Sequence, residues 1–367
     1  MAERTAHMPH GPAVRIAKRE RITTGRVALI RATAVLLALL TGGLIILALG
    51  HNPVRVYADM VQGSLGSPTV LRETVRIAVP LLITALAISL AFKMRFWNIG
   101  GEGQILFGAI AAMYVALNFS GALPRTLLLP LMCAAGILLG GAAGLLPAYF
   151  KARWNTNETL FTLMLNYIAF CFLKYLQNGP WKDPKMRGFP KIAMLDDAAR
   201  LPQAFGVHIG WIIALLLVFV VYFYVRHTKS GFEITVVGES PRTARYVGMN
   251  VGRIMMRTMI FSGALCGLVG FLQVSGADYT LHEATAGGAG FTAITVAWLS
   301  GLHPVPMIIV SSAIAIVTKG AGKIQTTFKI PASAADVLTG VLLFFMLGSE
   351  FFIRYRLIIH WPWRANE

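Results

Sequence analysis

Three stretches of this chain set polar side chains and glycine among apolar neighbours. The first is Asn98-Ile99-Gly100-Gly101-Glu102-Gly103-Gln104, three glycines, one carboxylate and two amides between hydrophobic runs. Glycine permits tight, non-helical backbone and close approach by other groups. A carboxylate near lipid is costly, so Glu102 is expected to face protein or water. Two readings fit: a polar turn at the end of a hairpin, or a broken-helix element beside a solute path. The second stretch holds Glu158, Thr162 and Asn166, spaced four apart and so on one helix face. Asn155, three residues before Glu158, forms a capping-box arrangement with it. A polar stripe of this kind serves either helix–helix hydrogen bonding or a water-filled path. The third is Gly287-Gly288-Ala289-Gly290-Phe291-Thr292-Ala293-Ile294, which breaks a helix in the same manner and presents Phe291 and Thr292. Two glycine-broken segments in the two halves of a transporter point to a central path.

A fourth segment, Gly238-Glu239-Ser240-Pro241-Arg242-Thr243-Ala244-Arg245-Tyr246-Val247-Gly248, has no lipid character. Ser240 suits an N-cap, Pro241 the first helical position and Gly248 the stop. A helix of about two turns is unstable alone in water, so it requires a partner surface. Tyr246 and Val247 can fill a cleft there, while Arg242 and Arg245 can meet acidic groups.

Covalent and metal chemistry find little support. The eight histidines never recur at four-residue spacing, and Cys133, Cys171 and Cys266 sit in apolar runs without Cys-x-x-Cys spacing, as buried packing thiols. Lys319-Gly320-Ala321-Gly322-Lys323-Ile324 imitates the end of a P-loop, but Val317 and Ile324 stand where glycine and Ser or Thr are required. ATP is therefore not expected to bind there.

The elements that must carry these segments follow from composition. Hydrophobic residues make up 56% of the 367 and charged residues 13%, with a mean hydropathy of +0.64. Soluble domains carry about 25% charged residues. Runs near 20 apolar residues recur, which selects an all-α polytopic membrane protein over a barrel. Ten spans are predicted, at about Ala32–Gly50, Thr74–Phe92, Gln104–Phe119, Leu127–Phe150, Asn157–Leu176, Trp211–Val225, Thr258–Val274, Phe291–Leu302, Val305–Val317 and Ala335–Phe352. Gly263, Gly267 and Gly270 give the seventh a small-residue packing face.

The formal charge of +17 suits nucleic acid only if the charges cluster on one surface. Instead Arg15, Lys18, Arg19, Arg21, Arg26 and Arg31 precede the first span, and Lys93, Arg95, Lys151, Arg153, Arg354 and Arg356 flank later ones. That is the positive-inside pattern, with both termini cytoplasmic and no nucleic-acid partner. Residues 1–26 form a basic arm, disordered or interfacial; 27–355 form the membrane domain, its longest internal connection at 226–257; 356–367 form a cytoplasmic tail.

Phe96-Trp97-Asn98-Ile99-Gly100-Gly101-Glu102-Gly103-Gln104 closely resembles the signature of ABC permeases of the branched-chain amino acid, simple sugar and nucleoside group. Asn157-Glu158 with Thr162-Leu163-Met164-Leu165-Asn166-Tyr167 looks like the branch serving nucleosides and related sugars, as do Gly179-Pro180-Trp181-Lys182-Asp183-Pro184 and Phe189-Pro190. Gly238–Gly248 resembles the family's cytoplasmic coupling segment, and the resemblance runs from about residue 30 to 355. It implies a type II importer-like permease in a bacterial inner membrane, without enzymatic activity of its own. A second, homologous permease would pair with it, and a separate ATPase subunit would hold ATP and magnesium. A periplasmic or lipid-anchored binding protein would deliver the solute. Asn98, Gly100, Gly101, Glu102, Gly103, Gln104, Thr162, Asn166, Phe291 and Thr292 would line or gate the path. Gly238, Glu239, Ser240, Pro241, Arg242, Ala244, Arg245, Tyr246 and Gly248 would couple it to the ATPase. The solute would be a nucleoside or related small polar molecule, with a simple sugar as the alternative. A secondary transporter driven by H⁺ or Na⁺ is the rival class, but it favours intramembrane carboxylates, and Glu102 and Glu158 both lie near span ends.

Overall fold

The computed structural model describes residues 14–18, 23–184, 188 and 190–359. Most of the basic arm, Phe189 and the tail beyond Ile359 lie outside the described residues. The described chain forms two compact units, one from residues before Tyr57 and after Thr327, the other from Tyr57 to Thr327.

The first unit begins with strand β1 (Val14–Lys18) and helix α1 (Thr24–Ala48). Helix α2 (Pro53–Leu65) starts in this unit and continues past its boundary. In the second unit, α3 (Pro68–Lys93) starts with Ser67 as cap, its side chain accepting from Val70 N at 3.3 Å, and Pro68 at the first position. Helices α4 (Gly101–Phe119), α5 (Arg125–Trp154) and α6 (Glu158–Asn178) follow. A non-helical segment then holds the two-residue strands β2 (Gln203–Ala204) and β3 (Val207–His208). Helix α7 (Gly210–His227) returns to the basic side and hands over to α8 (Lys229–Glu239) and α9 (Pro241–Tyr246). Helix α10 (Val251–Leu272) runs into a π-helical turn, Gln273–Asp278. The short α11 (Ala289–Leu299) and the long α12 (Pro304–Phe328) follow. The chain re-enters the first unit with α13 (Ala332–Arg354) and β4 (Tyr355–Ile359).

In the first unit α13 packs on α1, and Glu350 receives Arg354 at 2.8 Å and lies 3.8 Å from Arg31. Strand β4 pairs antiparallel with β1, Val14 opposite Ile359. The arm expected to be disordered or interfacial is thus partly a strand, and its partner is the far end of the chain.

Among the described residues nine helices are long and apolar enough to cross a membrane. Large apolar side chains such as Leu216, Phe219, Ile309 and Phe344 point outward from them. That is ordinary in lipid and costly in water. The predicted eighth span is the exception. At 11 residues α11 is about 16 Å long, half the hydrocarbon thickness. A half-length helix preceded by ten residues of irregular chain replaces a simple crossing, because Gly287 and Gly288 both adopt positive φ and stop the helix short.

The core of the second unit is α10, packed against α3, α4 and α5. Gly263 and Gly267 meet Gly136, Gly140 and Gly144 of α5, and Gly108 of α4 meets Gly267. A methyl group added at Gly140 would sit 2.5 Å from the Gly263 carbonyl oxygen. The backbones touch, which glycine alone permits, and this is the close approach expected of the α10 small-residue face.

Several local expectations differ from the structure. Asn157, not Asn155, caps α6, accepting from Leu160 N at 3.2 Å. Asn155 instead ends α5 in a left-handed conformation, and Glu158 reaches back to Lys151 at 3.0 Å. The P-loop imitation lies inside α12, where Gly320 packs on Met60 and a methyl group added at Gly63 of α2 would sit 2.5 Å from Lys323 Cβ. Helix α12 therefore continues eleven residues beyond the expected Val317. Of the three thiols, Cys266 is buried, Cys133 half-buried and Cys171 exposed on the helix surface.

Candidate translocation site

The chain from Met94 to Gly100 leaves α3 and turns back to start α4, with Arg95 at a φ of 57°. Buried backbone polar groups in such a loop need partners, and α6 supplies them. Thr162 Oγ1 accepts from Ile99 N at 3.2 Å, and Asn166 Oδ1 accepts from Gly103 N at 2.8 Å. Asn166 Nδ2 donates to Ile99 O at 2.9 Å. Inside the loop, the Asn98 and Gln104 amides bond each other at 3.3 Å, and Asn98 Oδ1 accepts from Gly100 N at 3.0 Å. All four of these side chains are buried. The stripe on α6 therefore clamps the loop, and glycine at 100 and 103 lets α6 come close: a methyl at Gly103 would stand 2.8 Å from Asn166 Oδ1.

Glu102 points the other way, to the start of α11. Its two carboxylate oxygens accept from Gly288 N at 2.8 Å and Gly290 N at 2.7 Å. The first N–H groups of a helix have no partner of their own and carry partial positive charge. A carboxylate from another helix fills both needs here and caps α11 across 186 residues of sequence. Gly101 and Gly290 meet backbone to backbone, since a side chain at Gly290 would overlap Glu102 N. The two glycine-broken segments expected from sequence thus touch each other. Phe291 stays 45% exposed, while Thr292 faces a cavity of about 390 Å³ that also borders α3 and the π-helical turn.

Sequence reading missed an aromatic cluster at the other end of α11. Trp97 stacks on Trp298 with centroids 5.8 Å apart, and Phe92 lies 5.4 Å from Trp97 and 5.7 Å from Trp298. The two tryptophans are 201 positions apart, so no local pattern pairs them.

Helices α8 and α9 lie against the end of α3 through Gly238. Ser240 caps α9 by accepting from Thr243 N at 3.2 Å, Pro241 is its first residue, and Gly248 follows at a φ of 81°. Ala244 is buried, while Arg242 and Arg245 are exposed and Tyr246 is 92% exposed. A tyrosine so bare on a short helix has no packing role among the described residues. Helix α8, absent from the sequence reading, joins α9 to the membrane helices. Any side chain at Gly238 would collide with the Lys93 carbonyl at the end of α3, and Glu233 holds Arg257 of α10 at 2.8 Å.

Buried backbone breaks between long apolar helices, a half-helix capped from a distant segment and an exposed short helix tied to the long ones form one connected assembly. Residues 70–347 match the family described as branched-chain amino acid transport system, permease component, and the chain belongs to that family. It is the multi-pass, non-catalytic permease component of an ABC import system. It is 34% identical to the glucose ABC transporter permease TsgB13 of Haloferax volcanii, over 91% of this chain and 90% of that one. It is 30% identical to the guanosine permease NupP of Bacillus subtilis, over 89% and 94%. With the nucleoside permease NupB of Lactococcus lactis it shares 31% identity over 88% and 91%.

Proposed function

We propose that this permease carries a nucleoside inward, and that the contact between the Asn98–Gln104 loop and the start of α11 is its gate. The observation that carries the gate is the Glu102 cap, with bonds of 2.8 and 2.7 Å joining the two glycine-broken segments. Asn98, Gln104, Thr162 and Asn166 hold one side of the gate in shape. The glycines 100, 101 and 103 let it close, and Thr292 meets the solute above it. The Gly238–Gly248 segment receives the ATPase stroke. Tyr246, with Arg242 and Arg245, docks in a groove of that subunit, and Gly238 passes the motion to the end of α3. Two similar guanosine permeases, NupP and NupQ, occur in B. subtilis, which supports a second homologous permease as the other half of the channel. A substrate-binding protein on the far side completes the system.

The nucleoside reading rests on the Asn157–Tyr167 and Gly179–Pro184 motifs and on the likeness to NupP and NupB. A sugar is the second reading, favoured by the 34% identity to a glucose permease. Uptake of labelled guanosine, ribose and glucose by cells with the gene deleted and restored separates them. Guanosine uptake lost on deletion and restored with the gene supports the proposal. Loss confined to a sugar keeps the permease and moves its substrate.

A further inference from the structure

The cavity beside α11 lies at the end of α3 away from Lys93, and so away from α8 and α9. Its volume of about 390 Å³ falls within the range of small-molecule sites, about 300–1,000 Å³. Its walls mix Ile77, Leu81 and Ala277 with Glu73, Arg76, Gln273, Asp278, Thr292 and Thr318, and among the described residues no aromatic ring lines it. A nucleobase bound there would have no ring to stack on.

The polar groups are arranged around Arg76. Its Nη1 lies 3.4 Å from Glu73 Oε1, and its charge also acts on Asp278. Asp278 Oδ2 is buried and makes no hydrogen bond of full geometry among the described residues, although His282 Nε2 lies 3.6 Å away and the Thr285 hydroxyl donates to the same carboxylate. A buried carboxylate oxygen without a full hydrogen bond of its own gains from a further donor. Pro80 also lines the cavity and offers no N–H to the Arg76 carbonyl one turn earlier. Gln273 spends its Nε2 on Thr285 O at 3.2 Å, so its Oε1 is left for a ligand. The charged groups of the site are thus two carboxylates and one guanidinium, beside the hydroxyls of Thr292 and Thr318. Hydroxyl groups on a compact ring match that inventory, since each can donate to a carboxylate and accept from Arg76.

We infer that this cavity binds the polyhydroxylated sugar ring of the transported solute, with Asp278 and Glu73 accepting from ring hydroxyls and Arg76 donating to a ring oxygen. This deepens the function proposed above and rests on it. The ring is common to ribonucleosides and free sugars, which accounts for relatives named for both. The floor of the cavity is Gly287, Ala289 and Thr292, adjoining the N–H groups that Glu102 caps, so a bound ring touches the gate itself.

The test uses the whole transporter, with its ATPase, partner permease and binding protein, in proteoliposomes. Initial uptake is measured for guanosine against 2′-deoxyguanosine, ribose against 2-deoxyribose, and glucose against 2-deoxyglucose. Asp278→Asn is expected to raise the KM of the hydroxylated member roughly tenfold and leave its deoxy partner nearly unchanged, the size of a lost charged hydrogen bond. Glu73→Gln, at the more exposed rim, should act in the same direction and leaves the fold intact if Asp278→Asn does not. The binding protein is the same throughout, so a changed ratio belongs to the permease. An unchanged ratio, or equal loss for both members of a pair, overturns the inference. Uptake of a sugar but not guanosine removes the nucleoside reading alone, and the cavity is then judged on that sugar pair. Uptake of none of the three pairs overturns both.

Discussion

Replacing Glu102 by glutamine keeps the size of the side chain and changes one thing: one of its two acceptor oxygens becomes an NH₂ donor. The carboxylate now accepts from Gly288 N and Gly290 N at 2.8 and 2.7 Å. In the variant only one of these bonds survives, and the other backbone N–H faces a donor. A hydrogen bond to a charged group contributes about 1.5–3 kcal/mol. The favourable charge at the helix start, worth about 0.3–1 kcal/mol, also disappears. Together the start of α11 should be destabilised by roughly 2–4 kcal/mol, a 30- to 800-fold shift toward its open form. Hydrogen exchange read by mass spectrometry on the purified protein in nanodiscs checks this, with a peptide covering 284–300. Its first-turn amides should exchange at least tenfold faster in the variant, while amides of α5 and α10 keep their protection. In the assembled transporter the proposed gate predicts that the variant hydrolyses ATP faster without solute, since the contact between Glu102 and α11 is weakened. Exchange at 289–292 equal to that of the unaltered protein would refute the reasoning, since the cap would then contribute nothing to keeping α11 in place.

Gly267→Ala puts a methyl group into the Gly136 carbonyl oxygen, a backbone atom that cannot swing aside. The α5–α10 seam should lose about 1–3 kcal/mol, visible as a lower midpoint in a detergent melting assay, with Gly322→Ala, which meets open space, as the neutral control. Gly248→Pro imposes a φ near −65° where the chain adopts 81°, and Tyr246→Ala strips the exposed ring from α9. Both should insert normally yet lose solute-stimulated ATP hydrolysis; retained stimulation would remove the coupling role from this segment.

His208 provides a pH test. Its Nδ1 accepts from Gly210 N at 3.2 Å, and burial, with the Arg76 charge, lowers its pKa to about 4. The unfolded chain takes up a proton near 6.5 and the folded chain only near 4, so stability is complete above 6.5 and falls as pH drops between these values. The loss by pH 4 is on the order of 3 kcal/mol. Melting midpoints of the unaltered protein should fall over that range, and those of His208→Gln should fall much less.

The pairing of α6 with the Asn98 loop shows how far sequence reading reaches. The Glu158, Thr162 and Asn166 spacing puts a polar face on a membrane helix, and a polar face in lipid must find a partner. Which partner it finds is a long-range matter: Thr162 meets Ile99, and Asn166 meets both Ile99 and Gly103, over 63 to 67 residues of sequence. Spacing to Glu158 pointed to Asn155 as the cap of α6, and only the backbone path at the end of α5 selects Asn157 instead. Trp97 and Trp298, and the Glu73, Arg76 and Asp278 cavity, leave no signal at all in local order.

Composition and periodicity alone determined that the chain crosses a membrane many times, roughly where its long helices run, and that Ser240 to Gly248 forms a short capped helix. These properties depend on hydropathy over about 20 residues and on backbone preferences within one turn. Tertiary structure alone decided that the eighth apolar run stops halfway, that Glu102 caps it, and that the polar stripe of α6 clamps a loop. Each of these satisfies a backbone N–H or C=O group that lipid cannot, and the nearest group able to do so was supplied by a distant part of the chain.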